Sequence, residues 1–149
     1  MKGFPDLPPL WWLASIAVIH ALAWAAPALH VDAPLLSAVS WACLAAGLAL
    51  IGWSALWFWR KRTPIEPHHT PRALIAEGPY RVTRNPIYLG LVILTLGSAA
   101  GQGSVPGLVV AAGLWWVLDR RFAAEEERLL RETFGAEAEA YLAGTRRWL

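Results

Sequence analysis

The stretch that most constrains this chain runs from about Leu35 to Trp59. It carries no charged side chain and ends on Trp57, Phe58 and Trp59, followed at once by Arg60, Lys61 and Arg62. A helix needs about 20 apolar residues to cross the hydrocarbon core of a bilayer, and this run is long enough. Aromatic residues followed by a basic cluster mark the end of such a helix at the cytoplasmic interface. The chain is therefore expected to fold around membrane-spanning helices.

Three further apolar runs support that expectation: Leu10 to Leu29, Pro86 to about Ala100, and Val105 to Leu118. Only 16% of residues are charged and 56% are hydrophobic, against about 25% charged in ordinary soluble domains. The ten tryptophans fit interfacial anchoring. The first run is long and has no clear small-residue cleavage site, so it reads as a retained span and not a signal peptide. All 13 Lys and Arg fall in the amino-terminal tail, the stretch 60–85, or the segment after residue 119. The connections at about 30–34 and 101–104 contain none. By the positive-inside rule both termini and the large loop are cytoplasmic, and an inner (cytoplasmic) membrane is the expected location. The fold class is all-α integral membrane: four transmembrane helices plus a cytoplasmic C-terminal amphipathic helix over about Arg120 to Ala143, in one domain spanning residues 1–149.

The net charge of +2 is too small to argue for nucleic acid. The one cysteine, Cys43, lies in an apolar run and reads as a packed core residue. No spaced His, Cys and Asp set suits a metal, and His68-His69 has no partners in the sequence. His20 reads as a packed, hydrogen-bonded residue within the first span.

Polar chemistry concentrates in two places. Residues Gly78 to Gly90 read Gly-Pro-Tyr-Arg-Val-Thr-Arg-Asn-Pro-Ile-Tyr-Leu-Gly, immediately before an apolar segment. Asn is a preferred N-cap and Pro a preferred first helical residue, so Asn85-Pro86 is a helix start. Helix starts attract anions, and Arg81 and Arg84 add positive charge. Two readings fit: a site for a carboxylate or phosphate, or a capped membrane helix with arginines at lipid headgroups. The second place is the C-terminal helix, where Phe122, Glu126, Leu130 and Phe134 recur four apart. That spacing puts Glu126 on the apolar stripe, which is costly without a partner. The partner is a ligand ammonium or sulfonium, an arginine of the 78–90 segment, or another local arginine.

On these residues the chain resembles the integral-membrane methyltransferases of the isoprenylcysteine carboxyl methyltransferase and phospholipid methyltransferase group. Three elements occur in the family's order. They are Thr63 to Pro67, the full motif from Gly78 to Gly90, and Glu126-Glu127 with Leu130, Phe134 and Gly135, followed by Tyr141 and Arg146-Arg147-Trp148. The resemblance covers about residues 60–149, the expected cofactor-binding core, and its middle motif is the specific one. It implies S-adenosylmethionine as methyl donor and a lipid or small lipophilic acceptor, carboxylate or amine, arriving from the bilayer. By the same resemblance Tyr80, Arg81, Arg84, Asn85, Pro86, Tyr88, Glu126 and Glu127 line the cofactor site. Arg84, Asn85 and Glu126 are the expected catalytic residues, and Pro67 and His68 the substrate-lining ones. Asn85 stands where many eukaryotic-type members have His, and Asn cannot act as a base near neutral pH. In this reading Glu126 holds the cofactor's ammonium, while Arg84 and the helix start hold its carboxylate. The rival expectations are an NADPH-dependent membrane reductase of related architecture and a non-catalytic membrane binding protein.

Overall fold

The computed structural model describes residues 6–63 and 71–149. Among these residues the fold is all-helical, with no strand. Helix α1 spans Pro8–Ala25, α2 Pro34–Lys61, α3 Pro86–Gly101 and α4 Val105–Val117. Each of these four carries Pro in its first turn, where the missing N–H costs nothing. A capping hydroxyl opens α4, with Ser104 Oγ accepting from Gly107 N at 3.3 Å. Helix α2 closes on Arg60 and Lys61, with Arg62 left-handed at φ 51°.

Two helices are long and apolar enough to cross a membrane, α1 with 18 residues and α2 with 28. Only 6% of the most apolar window of α2 is buried by the rest of the protein. That separates it from the core helix of a soluble protein, because this apolar surface has no protein to cover it. Trp24, Trp41, Trp53 and Trp59 stand exposed along the same two helices. Helix α3 has 16 residues, about 24 Å at the helical rise, which is shorter than the hydrocarbon core.

Helix α2 lies against α3 in a close helix pair. Gly90 makes that approach possible. A Cβ there would sit 2.6 Å from Ile51 Cγ1 and 3.0 Å from the Gly47 carbonyl oxygen. Small residues at such a contact let two backbones approach, which is how membrane helices gain packing energy without a hydrophobic drive between them. Helices α1 and α4 pack on α3's other sides. Tyr88, Leu91, Leu114, Leu118, Phe122 and Ala123 form the core where α3 meets α4 and its continuation. The two connections without Lys or Arg meet at the far end, Val31 N donating to Gly103 O at 2.8 Å.

The C-terminal part differs from the single helix expected over Arg120 to Ala143. Helix α4 runs without a break through a π-helical segment, Leu118–Ala123, into α5, Ala124–Phe134. The wider turn leaves Leu118, Phe122 and Ala123 all fully buried. Gly135, at φ 52°, then ends α5, and α6, Ala136–Gly144, sets off in a new direction. Only glycine takes that backbone conformation freely, so Gly135 divides the expected helix in two. The last residues turn back, and Thr83 and Arg146 form a short parallel bridge beside the start of α3.

Candidate functional site

A cavity of about 450 Å³ opens where the starts of α1 and α3, the end of α2 and the first turn of α5 converge. That volume lies within the roughly 300–1,000 Å³ usual for small-molecule sites. Its outer wall is carbon, from Leu7, Pro8, Pro9, Ile51, Ala55 and Leu91. Its polar end is made by Tyr80, Arg84, Asn85, Tyr88 and Glu126. Tyr80 comes from a short 3-10 turn, Gly78–Arg81, held by the Tyr141 hydroxyl donating to Tyr80 O at 2.9 Å. The ring of Phe58 meets Tyr80 edge-on at 5.8 Å and continues the aromatic wall.

The expected residues divide into two groups. Tyr80, Arg84, Asn85, Pro86, Tyr88 and Glu126 all line the cavity. Arg81 is exposed and does not. Glu127 is buried and does not line the cavity, though it pairs with the lining Arg84. Pro67 and His68 lie outside the described residues, as does His69. His20 sits at the far end, with Nδ1 against Ile16 O at 2.9 Å and Nε2 facing Gln102 at 3.3 Å. No group of three metal-ligating side chains occurs among the described residues.

Glu126 and Glu127 are neighbours with opposite surroundings. Arg147 clamps Glu127 with Nε on Oε1 at 2.7 Å and Nη2 on Oε2 at 2.8 Å. Arg84 Nη1 reaches the same Oε1 at 3.1 Å. Arg147 Nη1 also bonds Asp119 Oδ1 at 3.1 Å, which accepts from Trp148 Nε1 at 2.8 Å. Arg84 and Arg147 thus balance Glu127 and Asp119, with Arg120 Nε reaching Asp119 Oδ2 at 3.6 Å on the exposed side. Glu126 has no Lys or Arg within 4 Å among the described residues and takes a hydrogen bond on Oε1 from the Tyr88 hydroxyl. Burial against the apolar walls pushes the Glu126 carboxyl up to about 7. The charge of Glu127 adds to that rise, and the bond from Tyr88 opposes it. Burial, with the charge of Glu126, also pushes the Tyr80 phenol well above its ordinary range.

Asn85 occupies the N-cap position of α3, but its side chain does not cap the helix. Its Nδ2 donates to Arg147 O at 3.1 Å, the same carbonyl that accepts from Thr83 Oγ1 at 2.9 Å. The Thr83 hydroxyl also accepts from Asn85 N at 3.3 Å. Arg84 N donates to Arg146 O at 2.9 Å. The C-terminal strap therefore holds the Asn85 amide that would otherwise be free to cap, and fixes residues 83–85 from outside. The sequence marks Arg146-Arg147-Trp148 as a family element without assigning it a role. It carries no signal for Asp119 as their anchor or for Leu7, Pro8 and Pro9 as cavity wall.

Arg84 faces two ways. Its Nη1 is tied to Glu127, while its Nε is buried without a hydrogen-bond partner. A buried donor left unpaired is costly, and this one belongs to a cationic side chain at the cavity's polar end. The arrangement offers an anion site at Arg84, a carboxylate at Glu126, the rings of Tyr80 and Tyr88, and a carbon wall of Leu7, Pro8, Pro9, Ile51, Ala55 and Leu91.

No curated protein and no solved structure matches the chain significantly. Residues 35–137 match the family model for phospholipid methyltransferase, a span that takes in α2, the cavity motif and Glu126-Glu127. The chain therefore belongs to the phospholipid methyltransferase family, a family of membrane methyltransferases.

Proposed function

We propose that the protein transfers a methyl group from S-adenosylmethionine to a lipid or small lipophilic acceptor, with donor and acceptor meeting in the cavity between α2, α3 and α5. The family supplies the reaction class. The observation that carries the rest is the cavity's two-sided lining, with carbon on one wall and Arg84, Asn85, Tyr80, Tyr88 and Glu126 at one end. The residues present suit this donor. The unpartnered Nε of Arg84 fits its carboxylate. Glu126 and the faces of Tyr80 and Tyr88 fit its cationic groups. When bound, S-adenosylmethionine supplies an activated methyl on a sulfonium. The chain's own residues hold the reactants in line and keep water out.

In the same reading α3 and α4 complete a four-span bundle, with both termini and the cavity on the cytoplasmic side of the inner membrane. Helix α3 is short for a span, so its start lies below the surface. That fits a cavity roofed by the C-terminal helices. Alanine at Arg84 or at Glu126 is expected to weaken binding of S-adenosylmethionine by about tenfold or more, the scale of a lost charge-assisted bond. Calorimetric titration of the purified protein in detergent checks this. Unchanged affinity in both variants refutes the two-point anchoring. Tight NADPH binding with no S-adenosylmethionine binding refutes the activity itself. A labelled methyl appearing on a lipid-extract component supports it.

A further inference from the structure

We propose that the start of α1 is the specificity-determining wall of the cavity, and that Asp6 is the positioning residue that sets where this wall stands. This rests on the methyltransferase reading above and deepens it. Three observations carry it. Leu7, Pro8 and Pro9 line the cavity together with Ile51 and Ala55 of α2. The family match begins at residue 35, after α1 has ended at Ala25, so this wall lies outside the matched span. A latch that does not line the cavity ties the wall to the π-helical segment leading into α5. In it Arg121 Nε donates to Asp6 Oδ2 at 2.5 Å and Trp11 Nε1 donates to Asp6 Oδ1 at 2.8 Å. The Arg121 guanidinium also lies 5.7 Å from the centre of the Trp11 ring.

The cavity thus has two parts of different standing. Tyr80, Arg84, Asn85, Tyr88 and Glu126, its polar end, all fall inside the matched span. The donor-holding end is therefore the family's, while the wall from Leu7 to Pro9 belongs to this chain and can change without touching that end. A carbon wall has no polar group with which to tell one lipophilic molecule from another. It selects by fit, and one methylene too many or too few is worth about 10- to 200-fold in transfer. Where this wall stands consequently decides how bulky an acceptor reaches the polar end.

The wall's position is set from its two ends. Proline fixes its own backbone φ, so Pro8-Pro9 makes the turn a stiff piece that moves as one. On the helical side Trp12 packs against the core that contains Tyr88 and Phe122. On the other side the hold is the latch, in which the side chains of Asp6 and Arg121 are 29% and 56% exposed. Ion pairs this exposed are weak. The wall is therefore held closed by a small margin and yields to a modest force, as the entry of a lipophilic molecule between α1 and α2 requires. A latch that only anchored α1 in the bundle would leave the cavity's width unchanged when cut, and the two roles separate on that point.

The test uses the full chain in phosphatidylcholine vesicles, with Cys43→Ser as background. Ala55→Cys, on the α2 side of the cavity, reports opening by its rate of reaction with N-ethylmaleimide. Ala45→Cys, on the exposed face of α2, is the control. Asp6→Ala and Arg121→Gln are each expected to speed labelling at position 55 by about two- to fivefold, the scale of an exposed ion pair, and to leave position 45 unchanged. Asp6→Glu keeps the charge and is expected to keep the wild-type rate. Raising salt to about 1 M, where the screening length is about 3 Å, is expected to speed labelling at position 55 with Asp6 in place and not in Asp6→Ala. Calorimetry is expected to give Asp6→Ala the wild-type affinity for S-adenosylmethionine. With labelled donor and a total membrane-lipid extract, Asp6→Ala and Leu7→Ala are expected to spread label onto bulkier components than the wild type methylates. Equal labelling at position 55 with and without the latch overturns the positioning role, as does equal acceleration at position 45. An identical set of labelled lipids in all three proteins overturns the specificity role. Failure of the wild type to bind donor removes the methyltransferase reading and the specificity role with it, while labelling at position 55 still decides whether Asp6 positions the wall.

Discussion

At the scale of single residues, Arg147 carries more than its place near the chain's end would suggest. Its guanidinium closes the ion-pair network on Glu127 and Asp119. Its carbonyl receives Thr83 and Asn85. Removing one partner from a buried pair typically costs about 3–5 kcal/mol when the other charge is left uncompensated; here Arg84 still pairs with Glu127 and Arg120 with Asp119, so the loss is smaller. Arg147→Ala is thus expected to lower the melting temperature in detergent and to weaken S-adenosylmethionine binding, because Arg84 is left alone with Glu127. Arg147→Lys keeps the charge but not the two-pronged bond, and should fall between wild type and alanine on both measurements. Equal melting temperatures for all three proteins would contradict the network's role. The two glutamates differ in how far the sequence reveals them, for the same reason. Glu126 stands out because a carboxylate on an apolar stripe is anomalous by spacing alone. Glu127 shares its motif, yet one position further round the helix it meets arginines 43 and 20 residues away along the chain. Spacing along one helix carries no information about which element packs on each flank.

At the scale of elements, the site depends on α2 and α3 lying close. The Gly90 contact leaves no room for a methyl group against Ile51 and the Gly47 carbonyl. Gly90→Ala is expected to destabilise the protein by about 1–3 kcal/mol, the usual cost of overpacking, and to widen the cavity wall formed by Ile51 and Ala55. Gly52 lies on α2 where a Cβ would meet nothing within 4 Å, so Gly52→Ala should keep or slightly raise the melting temperature, alanine being the better helix former by about 1 kcal/mol. Equal losses in the two variants would show that this contact does not govern the effect, since the better helix propensity of alanine acts toward stability at both sites. Helix starts are legible along the chain itself, because proline in the first turn is a local signal: α2, α3 and α4 begin within a residue or so of the expected positions. Asn85-Pro86 shows the limit of that logic. The start is where the sequence puts it, yet the Asn85 side chain turns to Arg147 O because a competing acceptor is brought there by the returning strap. The break at Gly135 escapes a reading by periodicity, because helical composition continues across it. The backbone angle that divides α5 from α6 leaves no periodic trace.

At the scale of the whole molecule, the distribution of charge and of uncovered apolar surface governs how the chain sits. The connection containing Gln102 and the one at 30–34 meet at one end. The basic end of α2, the cavity and α5 lie at the other. In the proposed orientation, a membrane separating these ends leaves Gln102 outside and Glu139 inside. Cys43 is the one native cysteine, so Cys43→Ser gives a clean background for single cysteines at these exposed positions. An impermeant maleimide is expected to label Gln102→Cys in intact cells and Glu139→Cys only after lysis. Labelling of both from outside would overturn the orientation.

The sequence by itself determined the environment, the helical class and the family. Uninterrupted apolar length, the confinement of the 13 Lys and Arg to three stretches of the chain and a contiguous motif from Gly78 to Gly90 are properties of neighbouring positions, and they read directly along the chain. Tertiary structure alone decided how the two glutamates are used. Whether a carboxylate is neutralised or left facing an apolar cavity depends on what distant segments bring against it. Here the strap at 145–148 brings Arg147 to Glu127, and α3 brings only the Tyr88 hydroxyl to Glu126.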